Sequence, residues 1–270
     1  MYQQYFGLEQ NPFNVTADPN FLFFSRRHQE AFSQLLYGIK ERKGFLAITG
    51  EIGTGKTTLC RALLNSLGEN TKTALILNPS LSKLELLQTI LQDFGISWQN
   101  NSTLSLLNIL YKFLLKQLSL GNNVVLIIDE AQNLRMHLLE QIRLLSNLET
   151  EKEKLLQIVL VGQPQLRQKL ERPSLRQLRQ RIIVRYHILG LDQDEIAGYI
   201  KHRLNVAGSN GRIKFTEQAL DEIYRYTQGT PRLINIVCDK ALLAGYVYQN
   251  KIIDQEMLKE CIQELEGNTN

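Results

Sequence analysis

Short apolar runs alternate along this chain with longer stretches in which apolar residues recur at helical spacing. Five runs read as buried strands: Phe45–Thr49, Thr73–Leu77, Val124–Ile128, Leu155–Val161 and Ile182–Ile188. The first four show no regular polar alternation, which is the pattern of a parallel strand covered on both faces, whereas the fifth carries Arg185 and His187. Ser25 opens a helix reaching about Arg42, with Ala31, Leu35, Leu36 and Ile39 on one face. Further helices are predicted from Lys56 to about Leu67, over 83–94 and 103–120 with Ser82 and Ser102 as N-caps, and over 136–149. The helix over 103–120 carries Leu107, Leu110, Tyr111, Leu114 and Leu118 on its apolar face. A basic segment, 165–181, precedes the fifth strand. Strands alternating with helices predict an α/β fold, a parallel five-stranded sheet flanked by helices.

Beyond about residue 191 the strand pattern stops, and helices are predicted over 193–206, 217–227, 231–248 and 255–265. The expected division is an α/β domain over 1–190, a small all-helical lid domain over 191–266 and a tail over 267–270. Gly190-Leu191-Asp192 is the expected joint. Residues 1–24 belong to the first part and read as aromatic-rich and irregular.

Composition narrows this picture only modestly. With 270 residues, 43% of them hydrophobic, the chain can bury a sizeable core. A net charge of +4 is compatible with nucleic acid or an anionic membrane surface and decides for neither. The three cysteines, Cys60, Cys238 and Cys261, form no CxxC pair. That argues against a disulfide framework or a zinc site and fits a reducing compartment. Met1 to Phe13 lacks the basic-then-apolar order of a signal peptide. The longest clean apolar run, Val124–Ile128, is five residues, whereas a membrane span needs about 20. The expectation is a cytoplasmic protein with no transmembrane segment of its own, reaching a membrane only through a partner.

Candidate chemistry begins after the first strand. Gly50-Glu51-Ile52-Gly53-Thr54-Gly55-Lys56-Thr57 matches GxxxxGK[ST] at every fixed position, follows a predicted strand and opens a predicted helix, with Thr58 next in its first turn. Glycines let successive backbone N–H groups converge on phosphate, and the helix N-terminus adds a favourable dipole. In such a P-loop Lys56 reaches the β- and γ-phosphates and the Thr57 hydroxyl ligates Mg²⁺. Val124 to Ile128 then runs into Asp129-Glu130. A parallel strand ending there sets Asp129 at the carboxyl edge of the sheet, where ligands bind in such folds, to hold Mg²⁺. Glu130 is next in line to polarise an attacking water. Together these predict ATP and Mg²⁺ as cofactors. A water-activating Glu130 favours a hydrolase over a small-molecule kinase.

With these two motifs, the strand Leu156 to Gln163, the run Leu178-Arg179-Gln180-Arg181-Ile182 and Gly229-Thr230-Pro231-Arg232 resemble the AAA+ ATPases. That resemblance implies Gln163 as sensor 1, Arg232 as sensor 2, and Arg181 as the arginine finger, with Arg179 the alternative. Residues 167–185 hold seven basic side chains, so the choice between them stays open. At the N-terminus, Tyr5-Phe6-Gly7-Leu8, Asn11-Pro12-Phe13, Asp18-Pro19-Asn20-Phe21-Leu22 and His28-Gln29-Glu30-Ala31 resemble the ExeA/GspA group, as does Asp129-Glu130-Ala131-Gln132-Asn133-Leu134. The resemblance implies an ATPase of general (type II) secretion or type IV pilus biogenesis. It further implies a homo-oligomer formed through the ATP site, and an inner-membrane secretion or pilus assembly protein as partner.

Longer members of the group continue into a membrane span and a periplasmic domain. The expectation here is a short pilus-type relative or an excised ATPase domain. The alternative function is a DNA-associated AAA+ regulator of transposition or initiator type, with the basic segment facing phosphates. Two readings of the N-terminal segment stay open: Leu22, Phe23, Phe24 and His28 fold over adenine, or they pack against the first helix as core. His187 and His202 read as structural or surface residues, and Trp98 and Tyr111 as core.

Overall fold

The computed structural model describes residues 1–77, 79–151 and 153–267; of the tail expected at 267–270, only Gly267 lies within the described residues. The chain opens with α1 (Tyr2–Phe6) and a 3-10 turn at Pro19–Phe21, then α2 (Arg26–Lys40) and β1 (Phe45–Gly50). There follow α3 (Lys56–Ser66), β2 (Thr71–Ile76), α4 (Lys83–Asp93), α5 (Thr103–Ser119) and β3 (Asn123–Ile128). Next come α6 (Met136–Leu145), β4 (Gln157–Gly162), α7 (Pro164–Leu170), α8 (Arg176–Arg181) and β5 (Ile182–Ile188). The remainder is α9 (Ile196–Val206), β6 (Lys214–Phe215), α10 (Glu217–Thr227), α11 (Pro231–Val247), β7 (Ile252–Ile253) and α12 (Gln255–Leu265).

Two compact units are distinguished. One comprises Gln29–Ile52 and Leu59–Ile188, and it contains the five-stranded sheet, in the order β2-β3-β4-β1-β5, with every neighbouring pair parallel. Every residue of β1 and β4 is buried, as a central parallel strand requires. The main core lies on the Ala47 face, where Ala47, Leu126 and Leu160 meet Leu86, Leu110, Leu138, Leu166 and Leu178 from α4 to α8. Ser82 heads α4 in a reciprocal capping box with Glu85, and the Ser102 side chain caps α5 through the Ser105 N–H.

The strands run close to the sequence-based expectation in position, but the edge strands are not buried as expected: β2 buries only Ala74 and Ile76, and β5 only Ile182 and Ile188, since each has a neighbour on one side alone. Leu155 and Leu156 lie outside β4, because the Leu155 N–H turns back to the Leu148 carbonyl. The helix expected over 136–149 ends at Leu145, where the Ser146 hydroxyl donates to the Arg143 carbonyl. The basic segment forms α7 and α8, separated by Pro173. Tyr111 is 38% exposed on α5, outside the core.

The other unit comprises Met1–His28, Gly53–Thr58 and the chain from Leu189 onward. Its core joins α9 to α12 with Phe6, Leu8, Phe13 and Phe21, so the aromatic N-terminal segment packs with the C-terminal helices. Arg203 ties the two parts together: it donates to the carbonyls of Pro12 at 2.6 Å and Asn14 at 2.8 Å, and lies 4.7 Å from the Phe21 ring centroid. β6 and β7 form a two-residue parallel pair that the sequence pattern did not announce.

Candidate functional site

Parallel strands carry their carboxyl ends to one edge of the sheet. There β1 ends at Gly50, β3 runs out into Asp129 and β4 into Gln163. Asp129 is buried and its N–H still pairs with the Ile76 carbonyl, so the strand geometry persists to the carboxylate. Its Oδ1 accepts from the Glu130 N–H at 2.8 Å.

Glu130 departs from the strand abruptly, with φ 49° and ψ 35° in the left-handed region. A residue with a side chain bears a cost of about 1–2 kcal/mol there. The carboxylate gains two amide donors in return: Gln132 Nε2, in a short contact, and Gln163 Nε2 at 3.2 Å. Gln132 Oε1 in turn accepts from the Gln163 N–H at 3.0 Å. Lys169 Nζ donates to the carbonyls of Gln132 and Leu134, fixing the backbone that carries the amide. Burial lowers the Lys169 pKa, its largest cause, with Arg172 adding to it. Gln163, read as sensor 1, is thus a neighbour of Glu130. Gln132 was missed as a functional residue; its only signal was its place two residues after Glu130 in the Asp-Glu-Ala-Gln run.

The second group of site residues lies in the other unit. Gly53 and Gly55 have φ of +82° and +88°, which side-chain-bearing residues rarely adopt. Only Gly55 is a fixed position of the motif. Gly53 is needed because a Cβ there would lie 2.6 Å from the Arg232 Cβ. The Gly53 carbonyl accepts from the Arg232 N–H at 3.2 Å, and the Thr54 carbonyl lies 2.8 Å from His28 Nε2. Arg232 follows Pro231 in the first turn of α11, with its side chain exposed. Thr54 and Lys56 are buried, and Lys56, Thr57 and Thr58 form the first turn of α3. Glycines in positive φ, a helix N-terminus and a lysine in its first turn suit a polyphosphate. Oxygen ligands of the kind Mg²⁺ takes occur in each unit by itself: the Thr57 hydroxyl in this one, the Asp129 carboxylate in the sheet unit.

The remaining candidates are distributed differently. Arg181 Nη1 donates to Ser146 Oγ at 2.9 Å. Arg179, the alternative finger, lines a pocket of about 290 Å³ with Thr49, Arg167, Arg185 and His187. His187 Nδ1 is 2.9 Å from Thr49 Oγ1, in keeping with a structural role. Phe23 packs edge-on against Tyr199 at 5.9 Å, Leu22 is buried and Phe24 is 45% exposed. Trp98 donates to Asn101 and packs at the edge of the core. Among the described residues, no group of three or more His, Cys, Asp or Glu is arranged to hold a metal, and no helix is long and apolar enough to cross a membrane.

Residues 39–170 match the family described as an AAA domain. The chain is 47% identical over 247 residues to the General secretion pathway protein A of Aeromonas hydrophila, covering 91% of this chain. It spans 45% of that protein's length. Among solved structures it resembles the Aeropyrum pernix ORC2 protein, at 15% identity and a TM-score of 0.69, over 95% of this chain and 72% of that one. It also resembles Cdc6p from Pyrobaculum aerophilum, at 18% identity and a TM-score of 0.70, over 91% and 70% of the two chains. The Thermotoga maritima RuvB Holliday junction branch migration motor matches at 18% identity and a TM-score of 0.59, over 88% and 69%. At these identities the structural matches speak to fold: a P-loop sheet followed by a helical region.

Proposed function

We propose that this chain, which contains an AAA domain and is 47% identical over 91% of its length to the General secretion pathway protein A of Aeromonas hydrophila, is an AAA+ ATPase of that type that binds ATP with Mg²⁺ and hydrolyses it. The observation that carries the reading is Glu130, held in a left-handed turn by two glutamine amides directly after Asp129. Such a carboxylate is suited to accept a proton from water. Backbone N–H groups from Gly50 to Thr58, including those of Glu51, Ile52, Gly53, Thr54 and Gly55, cradle the phosphates, and Lys56 holds the β/γ oxygens. Thr57 and Asp129 hold Mg²⁺, which when bound neutralises charge on the phosphates. Gln163 orients Glu130 and the water. Arg232 reaches the nucleotide from the helical lid domain. Arg181, or Arg179 in its place, completes the site of a neighbouring copy.

The work of hydrolysis goes to assembling a secretion or type IV pilus machine. We place the chain in the cytoplasm, peripheral to the inner membrane through a protein partner. A site completed in trans predicts that phosphate release per molecule rises with protein concentration, and that Arg181→Ala abolishes the rise. Concentration-independent turnover contradicts the shared site. A second reading, a DNA-associated regulator, is favoured by the three arginines of the 290 Å³ pocket. Steeply salt-dependent DNA binding that weakens when Arg167, Arg179 and Arg185 are replaced supports that reading, and its absence removes it.

A further inference from the structure

His28 is 2% exposed, and both its ring nitrogens are engaged. Nε2 lies 2.8 Å from the carbonyl oxygen of Thr54, and Nδ1 lies 2.6 Å from Ser25 Oγ. A carbonyl only accepts, so Nε2 carries the proton and donates to Thr54. Nδ1 then accepts from the Ser25 hydroxyl. The same Ser25 oxygen accepts from the His28 N–H at 3.3 Å, as a helix N-cap does three residues on. One hydroxyl thus fixes both the start of α2 and the rotation of the ring. Burial lowers the His28 pKa, and the Thr54 carbonyl and Glu195 oppose that shift only in part.

The peptide bond makes this contact consequential. In a planar trans peptide, the carbonyl of one residue and the N–H of the next point in opposite directions. Holding the Thr54 carbonyl therefore turns the Gly55 N–H the other way. The Arg232 N–H does the same for the preceding unit through the Gly53 carbonyl, 3.2 Å away. Two consecutive peptide planes of the loop are thus oriented from outside it, one from the first turn of α2 and one from the first turn of α11. The approach is close: a Cβ on Gly55 would lie 3.2 Å from His28 Nε2. The ring occupies the place that the glycine leaves open, and its donor is spent on the loop, so it has no proton left for an adenine.

We propose that His28 is a positioning residue of the phosphate loop, holding the Thr54 carbonyl outward so that the Gly55 N–H faces the bound phosphate. This rests on the reading that the loop binds nucleotide phosphates. It replaces an adenine contact with a phosphate-directed role for a residue 26 positions upstream of Thr54.

The test compares ligands that differ in phosphate. Binding of fluorescent ATP and ADP, and of adenosine by competition or calorimetry, is measured for the wild type, His28→Phe, His28→Gln and Ser25→Ala. Loss of one buried hydrogen bond of this kind weakens ATP and ADP by roughly 10- to 100-fold in His28→Phe. Adenosine affinity stays unchanged. His28→Gln, which keeps a donor, restores part of the loss, and Ser25→Ala gives a smaller loss. Imidazole ¹⁵N shifts in the wild type report a neutral Nε2–H tautomer that responds to ADP. This readout does not depend on any variant folding. The inference is overturned if His28→Phe binds ATP like the wild type. It is equally overturned if ATP and adenosine weaken together, which marks a scaffold residue, or if the ring is found protonated on Nδ1 alone. A wild type that binds no ATP overturns the functional reading itself.

Discussion

Replacing Gln132 by leucine keeps most of the side-chain volume and removes an amide that makes two contacts. One is the donor to the Glu130 carboxylate; the other is the acceptor for the Gln163 N–H. A hydrogen bond to a charged group contributes about 1.5–3 kcal/mol, and a buried N–H left without a partner costs about 1–3 kcal/mol. The backbone at Glu130 already bears about 1–2 kcal/mol for its left-handed turn. With only Gln163 Nε2 remaining, the bond and the strain nearly cancel, and the carboxylate no longer has one favoured position. A loss of about 2 kcal/mol corresponds to about 30-fold less of the positioned carboxylate. Steady-state phosphate release should therefore show kcat lower by about 10- to 100-fold. The Kd for ATP, measured by fluorescence, should stay within about 2-fold, because no phosphate contact is touched. An unchanged kcat refutes the reasoning. So does a fall in kcat matched by an equal loss of ATP affinity, which marks general damage to the fold.

Three further outcomes follow from the same contacts. Arg203→Ala strands the Pro12 and Asn14 carbonyls and removes the cation over Phe21; a loss of about 3 kcal/mol lowers Tm by about 6–12 °C and exposes residues 1–24 to limited proteolysis. Gly53→Ala forces a side chain into φ +82° and against Arg232, so ATP binding measured by calorimetry weakens by at least about 10-fold. Stability is pH-dependent on the acid side: the folded-state pKa of His28 lies below 6.5, so as pH falls below 6.5 the unfolded chain takes up its proton first. The urea midpoint should drop between pH 7 and pH 5, and less so in His28→Gln, with His202, also lowered mainly by burial, accounting for the remainder.

The central strands were legible because buried parallel strands are apolar without alternation, and the helices over 83–94 and 103–120 because Ser82 and Ser102 cap them by local chemistry that sequence displays; the edge strands β2 and β5 are only partly buried. Errors arose where tertiary contacts decide. Leu155 and Leu156 look like strand, yet the chain there is still turning back on Leu148. The short α7 and α8 were hidden by prolines and basic residues, whose helical face shows only as Leu166, Leu170 and Leu178. The N-terminal aromatics gave no sign of their partners, because Phe6, Phe13 and Phe21 pack against helices nearly 200 positions away, as the 191-residue separation of Pro12 and Arg203 illustrates. The P-loop and Asp129-Glu130 stand out as contiguous motifs. Gln132 and His28 do not, because each acts through a backbone or side-chain group brought near only by folding.

The most direct test of the central claim is phosphate release from ATP by the wild type and by Glu130→Gln, each with Mg²⁺ and with excess EDTA. The account predicts Mg²⁺-dependent turnover in the wild type. It predicts that Glu130→Gln binds ATP with unchanged affinity and releases phosphate at least about 100-fold more slowly. Turnover that survives in Glu130→Gln, or that needs no divalent cation, contradicts it.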